Sequence, residues 1–356
     1  MINVTRTYLP PFEEYTHMLR RAWDKAWITN NGELVKELEE KLMAYLGCQN
    51  LLYCGTGTIV LQMALKALDI TKEVITTPFS YVATTNAILW EGCTPVFTDI
   101  LPGSCCIDAD KIEAAITENT QAILATHVYG YPCDVDKIER IAAKHDLKVI
   151  YDAAHAFGCE YKGRSLLSFG DISTCSFHAT KIFHSVEGGC IISNNEEMNR
   201  KLFLYRSFGH IADDYYSIGI NGKNSEMHAA MGLCILPRLA DIIEKRKEWS
   251  VAYNNSLDLS KISRPFSSEA FNYNYAYYPV LFESEEVLLR VKKALADNEI
   301  FARRYFYPSL NTLSFLTGAN CPVSEDIASR VMTLPLYYDL GLENIARISA
   351  LVNSNV

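Results

Sequence analysis

Two rhythms of apolar spacing organise the middle of this 356-residue chain. Short apolar runs at Asn50–Cys54, Val74–Thr77, Pro95–Asp99, Ala122–Thr126, Val149–Asp152, Ser173–Phe177 and Cys190–Ser193 read as buried strands. Several are separated by stretches with helical spacing: Thr58–Leu68, Tyr81–Trp90, Ala109–Ile116 and Asp134–His145. Strands alternating with amphipathic helices imply βαβ units. The pattern therefore predicts an α/β fold with a mostly parallel central sheet flanked by helices.

The flanks differ. Residues 1–32 read as an N-terminal arm, with Pro10-Pro11, a helical stretch over Glu13–Lys25 and a loop at Thr29-Asn30-Asn31-Gly32. A helix follows over Glu33–Leu46, with Leu34, Leu38, Leu42 and Leu46 in period and Gly47 to end it. The α/β rhythm fills 33–225. From Glu226 a long helical stretch runs to about Asn254, interrupted near Pro237. A tyrosine-rich segment (Phe271–Tyr278), a helix over Glu285–Asn298 and a closing helix from Glu343 complete 226–356, which we expect to form a smaller α+β domain.

Composition narrows the function classes. A net charge of −9 disfavours general nucleic-acid binding, because an acidic chain repels phosphate backbones. A local anion site at a helix N-terminus is still allowed. No run approaches the ~20 apolar residues of a membrane span, and Met1–Pro10 has no apolar segment of a secretory signal. The eleven cysteines include no CxxC pair. Free thiols in a reducing, cytoplasmic setting are expected.

Four segments carry candidate chemistry. Asp152 directly follows a buried-type strand, in Val149-Ile150-Tyr151-Asp152-Ala153-Ala154-His155. Ligands of open α/β sheets bind beyond the carboxyl ends of strands, so this carboxylate should face a pocket. A helix-capping aspartate, or a metal site shared with His155, fits the same residues. Lys181 closes Ser173-Thr174-Cys175-Ser176-Phe177-His178-Ala179-Thr180-Lys181 just beyond another strand, ahead of Glu187-Gly188-Gly189. Partial desolvation there should lower its pKa and free an amine able to form Schiff bases, although most lysines are only solvated surface charges. Cys54-Gly55-Thr56-Gly57-Thr58 joins a strand to a helix and is a phosphate-site candidate. It is neither a Walker loop nor a full dinucleotide fingerprint. Tyr81 sits at a strand–helix junction, where an aromatic can stack on a flat ring or merely pack. Together these residues describe one site: a carboxylate for a pyridinium, a lysine for an aldehyde, a helix end for a phosphate and a ring for a ring.

With these motifs the chain resembles the DegT/DnrJ/EryC1/StrS sugar aminotransferases, of the aspartate-aminotransferase fold type. The resemblance runs from Trp27-Ile28-Thr29 to Leu334-Pro335-Leu336-Tyr337. It rests above all on Asp152-Ala153-Ala154-His155-Ala156, on Ser176-Phe177-His178-Ala179-Thr180-Lys181 and on Glu187-Gly188-Gly189. It implies pyridoxal 5′-phosphate on Lys181, with Lys181 also moving the proton. It implies Asp152 on the ring nitrogen, His155 near the ring or its phenolic oxygen, Tyr81 stacked, and Gly55, Thr56 and Ser176 at the phosphate. It further implies a homodimer with shared active sites, in which Asn221 reaches the partner's phosphate, and L-glutamate as amino donor. Members acting at the sugar C4 carry the Phe-His-x-Thr-Lys and Glu-Gly-Gly pattern. The implied reaction is thus transamination of a nucleotide-linked keto sugar, dTDP-4-keto-6-deoxyglucose to dTDP-4-amino-4,6-dideoxyglucose, a step of O-antigen or lipopolysaccharide biosynthesis. Gly222 and Lys223 replace the family's usual tyrosine and arginine, and Ile182-Phe183-His184-Ser185 replaces a usual Asn-x-Thr stretch. Those departures lie where substrate would approach, which makes His184 and Lys223 candidate substrate contacts; Thr29, Arg303, Tyr305 and Tyr307 are further candidates, with a packed aromatic hairpin as the alternative for the last three. Competing readings are a sugar 3-aminotransferase, a dehydratase of the same fold (which would replace Lys181 by histidine), a metal-dependent hydrolase using Asp152, His155 and His178, and a non-catalytic regulator.

Overall fold

The computed structural model describes residues 1–266, 270–316 and 319–356. Seven strands form the central sheet: β1 (Leu51–Cys54), β2 (Glu73–Thr76), β3 (Thr94–Phe97), β4 (Thr120–Thr126), β5 (Lys148–Asp152), β6 (Ile172–Ser176) and β7 (Gly189–Ser193). Their spatial order is β1-β7-β6-β5-β4-β2-β3. The pairs among β3, β2, β4, β5 and β6 are parallel, and β7 alone runs antiparallel to both its neighbours. The expected mostly parallel sheet is present. The uniform burial of β1, β4 through its last five residues, and β7 explains why these segments are continuous apolar runs.

Eleven α-helices pack around this sheet and its neighbour among the described residues: α1 (Phe12–Trp23), α2 (Glu33–Leu46), α3 (Gly57–Ala67), α4 (Val82–Trp90), α5 (Val135–His145), α6 (Glu196–Arg206), α7 (Glu226–Ile235), α8 (Leu239–Ser256), α9 (Glu285–Asp297), α10 (Pro322–Arg330) and α11 (Leu342–Asn353). Side chains at Thr56, Asp134, Asn195, Ser225 and Ser284 cap α3, α5, α6, α7 and α9 by accepting an N–H two or three residues into the helix. Such caps are worth about 1 kcal/mol each. Gly47 ends α2 at φ 65°, as its position predicts. The Ala109–Ile116 stretch is a correction: it makes two short 3-10 turns, Ala109–Lys111 and Glu113–Ala115. The break near Pro237 is a 3-10 turn, Leu236–Arg238, between α7 and α8.

A second, antiparallel pair, β8 (Tyr278–Leu281) and β9 (Val331–Leu334), carries its own apolar core with α8, α9 and α11. The two cores meet along α8: Leu239 and Ile242 belong to the larger, Trp249 and Tyr253 to the smaller. All eleven cysteines are free thiols. No helix among the described residues is long and apolar enough to cross a membrane.

Candidate active site

Because β5 and β6 are parallel neighbours, their last residues emerge at the same sheet edge. The antiparallel β7 begins there, so Gly189 pairs with both Ser176 and Cys54. A Cβ on Gly189 would lie 2.7 Å from the Thr56 carbonyl oxygen and 2.8 Å from that of Cys175, which is why glycine closes this junction. Above it opens a cavity of about 340 Å³.

Asp152 ends β5 and is 6% exposed. Its Oδ2 accepts from the Thr84 hydroxyl at 2.7 Å and its Oδ1 from the Ala154 N–H at 3.1 Å. Burial pushes this carboxyl above the ordinary range, and Thr84, Ala154 and nearby Lys181 pull it back. A buried carboxylate in that balance favours a cationic ligand atom.

Lys181 lies on the loop between β6 and β7. Its Nζ is 3.4 Å from the Tyr277 hydroxyl. Desolvation pulls its pKa down, yet Tyr277, Asp152 and Cys175 outweigh that, and the net direction is up. The expected lowering is thereby corrected: the surrounding polar groups favour the ammonium more than burial disfavours it.

His155 is 6% exposed, and burial together with Lys181 holds its pKa well below the usual histidine range. Its Nδ1 accepts the Tyr129 N–H at 3.2 Å. The neutral ring must therefore carry its proton on Nε2. Phe306 stacks on the ring at 5.5 Å and Tyr277 meets it edge-on at 4.8 Å.

The first turn of α3 supplies the anion end. Thr56 caps the helix, and Thr56, Gly57, Thr58 and Ser176 line the cavity. A Cβ on Gly57 would lie 2.6 Å from Ser176 Cβ and 3.1 Å from its Cα. Glycine thus lets the helix N-terminus close against Ser176, where free N–H groups and the dipole favour an anion. Tyr81, 55% exposed, also lines the cavity, at the N-cap of α4.

Of the residues singled out in sequence, Lys181, Asp152, His155, His178, Thr56, Gly57, Thr58, Tyr81, Ser176, Arg303 and Tyr305 line the cavity. Others stand elsewhere. The Gly55 N–H is bonded to the Gly222 carbonyl, and Gly57 takes its expected place at the anion end. His184 is buried: its Nε2 bonds the Tyr8 carbonyl at 2.7 Å and its Nδ1 accepts the Val186 N–H at 3.3 Å. Both nitrogens are committed to backbone, so His184 holds the arm and not a substrate. Lys223 lies over the Phe208 ring, 4.6 Å from its centroid, and the Arg304 guanidinium covers Tyr307 at 3.3 Å. Thr29 and Asn221 are exposed and do not line this chain's cavity.

Four residues were missed. Thr84 is one helical turn beyond Tyr81, a spacing that faces both the same way. Tyr277 lies in the tyrosine-rich segment, and Phe306 between two residues already singled out. Nothing local marks Tyr129. Among the described residues no group of three or more His, Cys, Asp or Glu could hold a metal ion. The polar set instead fits pyridoxal phosphate: a buried carboxylate, an amine within the same cavity, and a helix end that only glycine can bring against a serine.

Comparison with known proteins agrees with that chemistry. The profile of the DegT/DnrJ/EryC1/StrS aminotransferase family matches residues 12–353. A dTDP-4-amino-4,6-dideoxy-D-glucose transaminase of Shigella dysenteriae is 42% identical over 348 residues, spanning 96% of this chain and 95% of the relative. One of the same name from Escherichia coli is 40% identical, spanning 99% and 98%. The crystal structure of DesI in the presence of its TDP-sugar product superposes with a TM-score of 0.95 at 31% identity, covering 99% of this chain and 92% of that one.

Proposed function

Because this chain belongs to the DegT/DnrJ/EryC1/StrS aminotransferase family, whose members are pyridoxal-phosphate-dependent sugar aminotransferases, we propose that it aminates C4 of dTDP-4-keto-6-deoxyglucose. The product is dTDP-4-amino-4,6-dideoxyglucose and the amino donor L-glutamate. The observation that carries the reading is the convergence of Lys181, Asp152 and the α3 N-terminus on one cavity. The 42% and 40% identities to transaminases of that dTDP-sugar support the choice of substrate.

Asp152 would hold the ring nitrogen, Thr56, Gly57, Thr58 and Ser176 the phosphate, and Tyr81 one ring face. When bound, the cofactor supplies an aldehyde for the lysine and a ring that accepts negative charge from a deprotonated carbon. Lys181 is the proton carrier. Its freed amine takes the proton from the donor Cα as general base and returns one as general acid. Exchanging product ketoacid for keto sugar in the same cavity gives a ping-pong order. His155, neutral with its proton on Nε2, offers a fixed donor to an oxygen. Arg303, on the cavity wall, offers the anionic parts of either substrate a cation. We further propose a homodimer, in which the exposed Asn221 of one subunit completes the phosphate site of the other.

The test is direct. Protein loaded with pyridoxal phosphate is incubated with glutamate and a panel of dTDP-, UDP- and GDP-keto sugars, with products read by mass spectrometry. Amination of dTDP-4-keto-6-deoxyglucose is expected. Amination of a 3-keto sugar alone would overturn the C4 assignment.

A further inference from the structure

The loop that carries Tyr277 is locked to the turn that carries His155. Asn274, fully buried, donates to the carbonyls of His155 and Phe157 at 2.9 Å each and accepts the Ala276 N–H at 3.0 Å. The Tyr273 hydroxyl bonds the Tyr277 carbonyl at 3.3 Å, and the buried Arg246 donates to the Ala276 carbonyl at 3.1 Å. The Tyr277 ring is fixed by edge contacts with His155 at 4.8 Å and with Tyr305 at 5.9 Å. All this places one hydroxyl against Nζ of Lys181, at 3.4 Å.

We propose that Tyr277 is a catalytic residue of this site, its phenol accepting a hydrogen bond from the Lys181 ammonium and donating one back once Nζ carries a lone pair. A hydroxyl is both donor and acceptor, so one group serves the lysine in both protonation states without net proton transfer. The other groups facing Nζ are single-purpose. Asp152 from β5 only attracts the cation, Cys175 from β6 is buried with its thiol pushed up to about 12, and His155 is held neutral. Tyr305 and Arg303 line the same cavity, and the charge on Lys181 reaches the Tyr305 phenol, but the hydrogen bond from Nζ goes to Tyr277. The inference rests on Lys181 being the cofactor lysine.

The variant is Tyr277→Phe, which keeps the ring and its packing. The full-length apoenzyme is labelled with acetic anhydride across a pH series, and the Lys181 peptide is quantified by mass spectrometry. In the wild type the labelling midpoint should lie above the range of solvent-exposed lysines. In the variant it should fall by about one pH unit, the weight of one charge-assisted hydrogen bond. The loaded variant should also show kcat about tenfold lower with the KM for donor little changed. An unmoved midpoint overturns the proposal, as does a wild-type midpoint below exposed lysines, which needs no variant. Borohydride reduction of the loaded wild type separates the two readings. Absence of the cofactor mass from the Lys181 peptide sinks the proposed function itself. Its presence with an unmoved midpoint sinks only the role of Tyr277.

Discussion

Gly57→Ala probes the anion end of the cavity. The added Cβ would lie 2.6 Å from Ser176 Cβ, 2.9 Å from its Oγ and 3.1 Å from its Cα. Carbon atoms rest at about 3.5–4.0 Å, so roughly 1 Å of separation must be found. A rotamer change at Ser176 cannot supply it, because Cα itself is too close. The first turn of α3 and the end of β6 must therefore part, and a displacement of about 1 Å is enough to break a hydrogen bond. Losing one charge-assisted bond to the phosphate costs about 1.5–3 kcal/mol, or about 10- to 100-fold in affinity. The assay titrates apoenzyme with pyridoxal phosphate by absorbance, and in parallel with pyridoxal, which lacks the phosphate. Only the first affinity should fall. Unchanged affinity for pyridoxal phosphate would show that its phosphate sits elsewhere. An equal loss for both would show general distortion of the cavity.

Two further outcomes follow from other contacts. Thr84→Val removes the donor to Asp152 Oδ2, destabilising the ionised carboxylate. Its already raised pKa should rise further, and the acidic limb of the kcat/KM profile should move to higher pH by about one unit; no movement, or movement to lower pH, contradicts the assignment. Glu39→Ala leaves the buried Arg206 without its 2.5 Å ion-pair partner and strands the Tyr53 N–H that Glu39 accepts at 2.8 Å. The loss should be about 3 kcal/mol, measured as a lower denaturation midpoint, because an unpaired buried charge is costly.

The sheet was legible because strands buried on both faces leave unbroken apolar runs; α5 and α9 because helical period and side-chain N-caps coincide, and α2 because its period ends at Gly47. Asp152 and Lys181 were legible because each follows such a run. Ala109–Ile116 misled: it keeps a helical period, but that spacing cannot set the length of a turn. His184 misled for a different reason. Its place three residues after Lys181 invites a role in the site, whereas its ring partner is the Tyr8 carbonyl, 176 positions away. The same distance problem hid Tyr277, which meets Lys181 across 96 positions. Contacts of that range are set by the tertiary path of the chain, which brings Tyr8 and Tyr277 against the larger core, and no local pattern records it.

The reversed direction of β7 has an architectural corollary. Parallel neighbours must be joined by a chain that dives beneath the sheet and resurfaces at its starting side, usually through a helix. From β6 to β7 no such detour is required. Phe177 to Gly188 can stay wholly at the rim where β5 and β6 end. That stretch never leaves the rim, yet it is bolted down: Phe177, Phe183 and Ser185 are fully buried, and the Tyr53 hydroxyl donates to Ser185, so the lysine rides on a stiff shelf that crosses no layer.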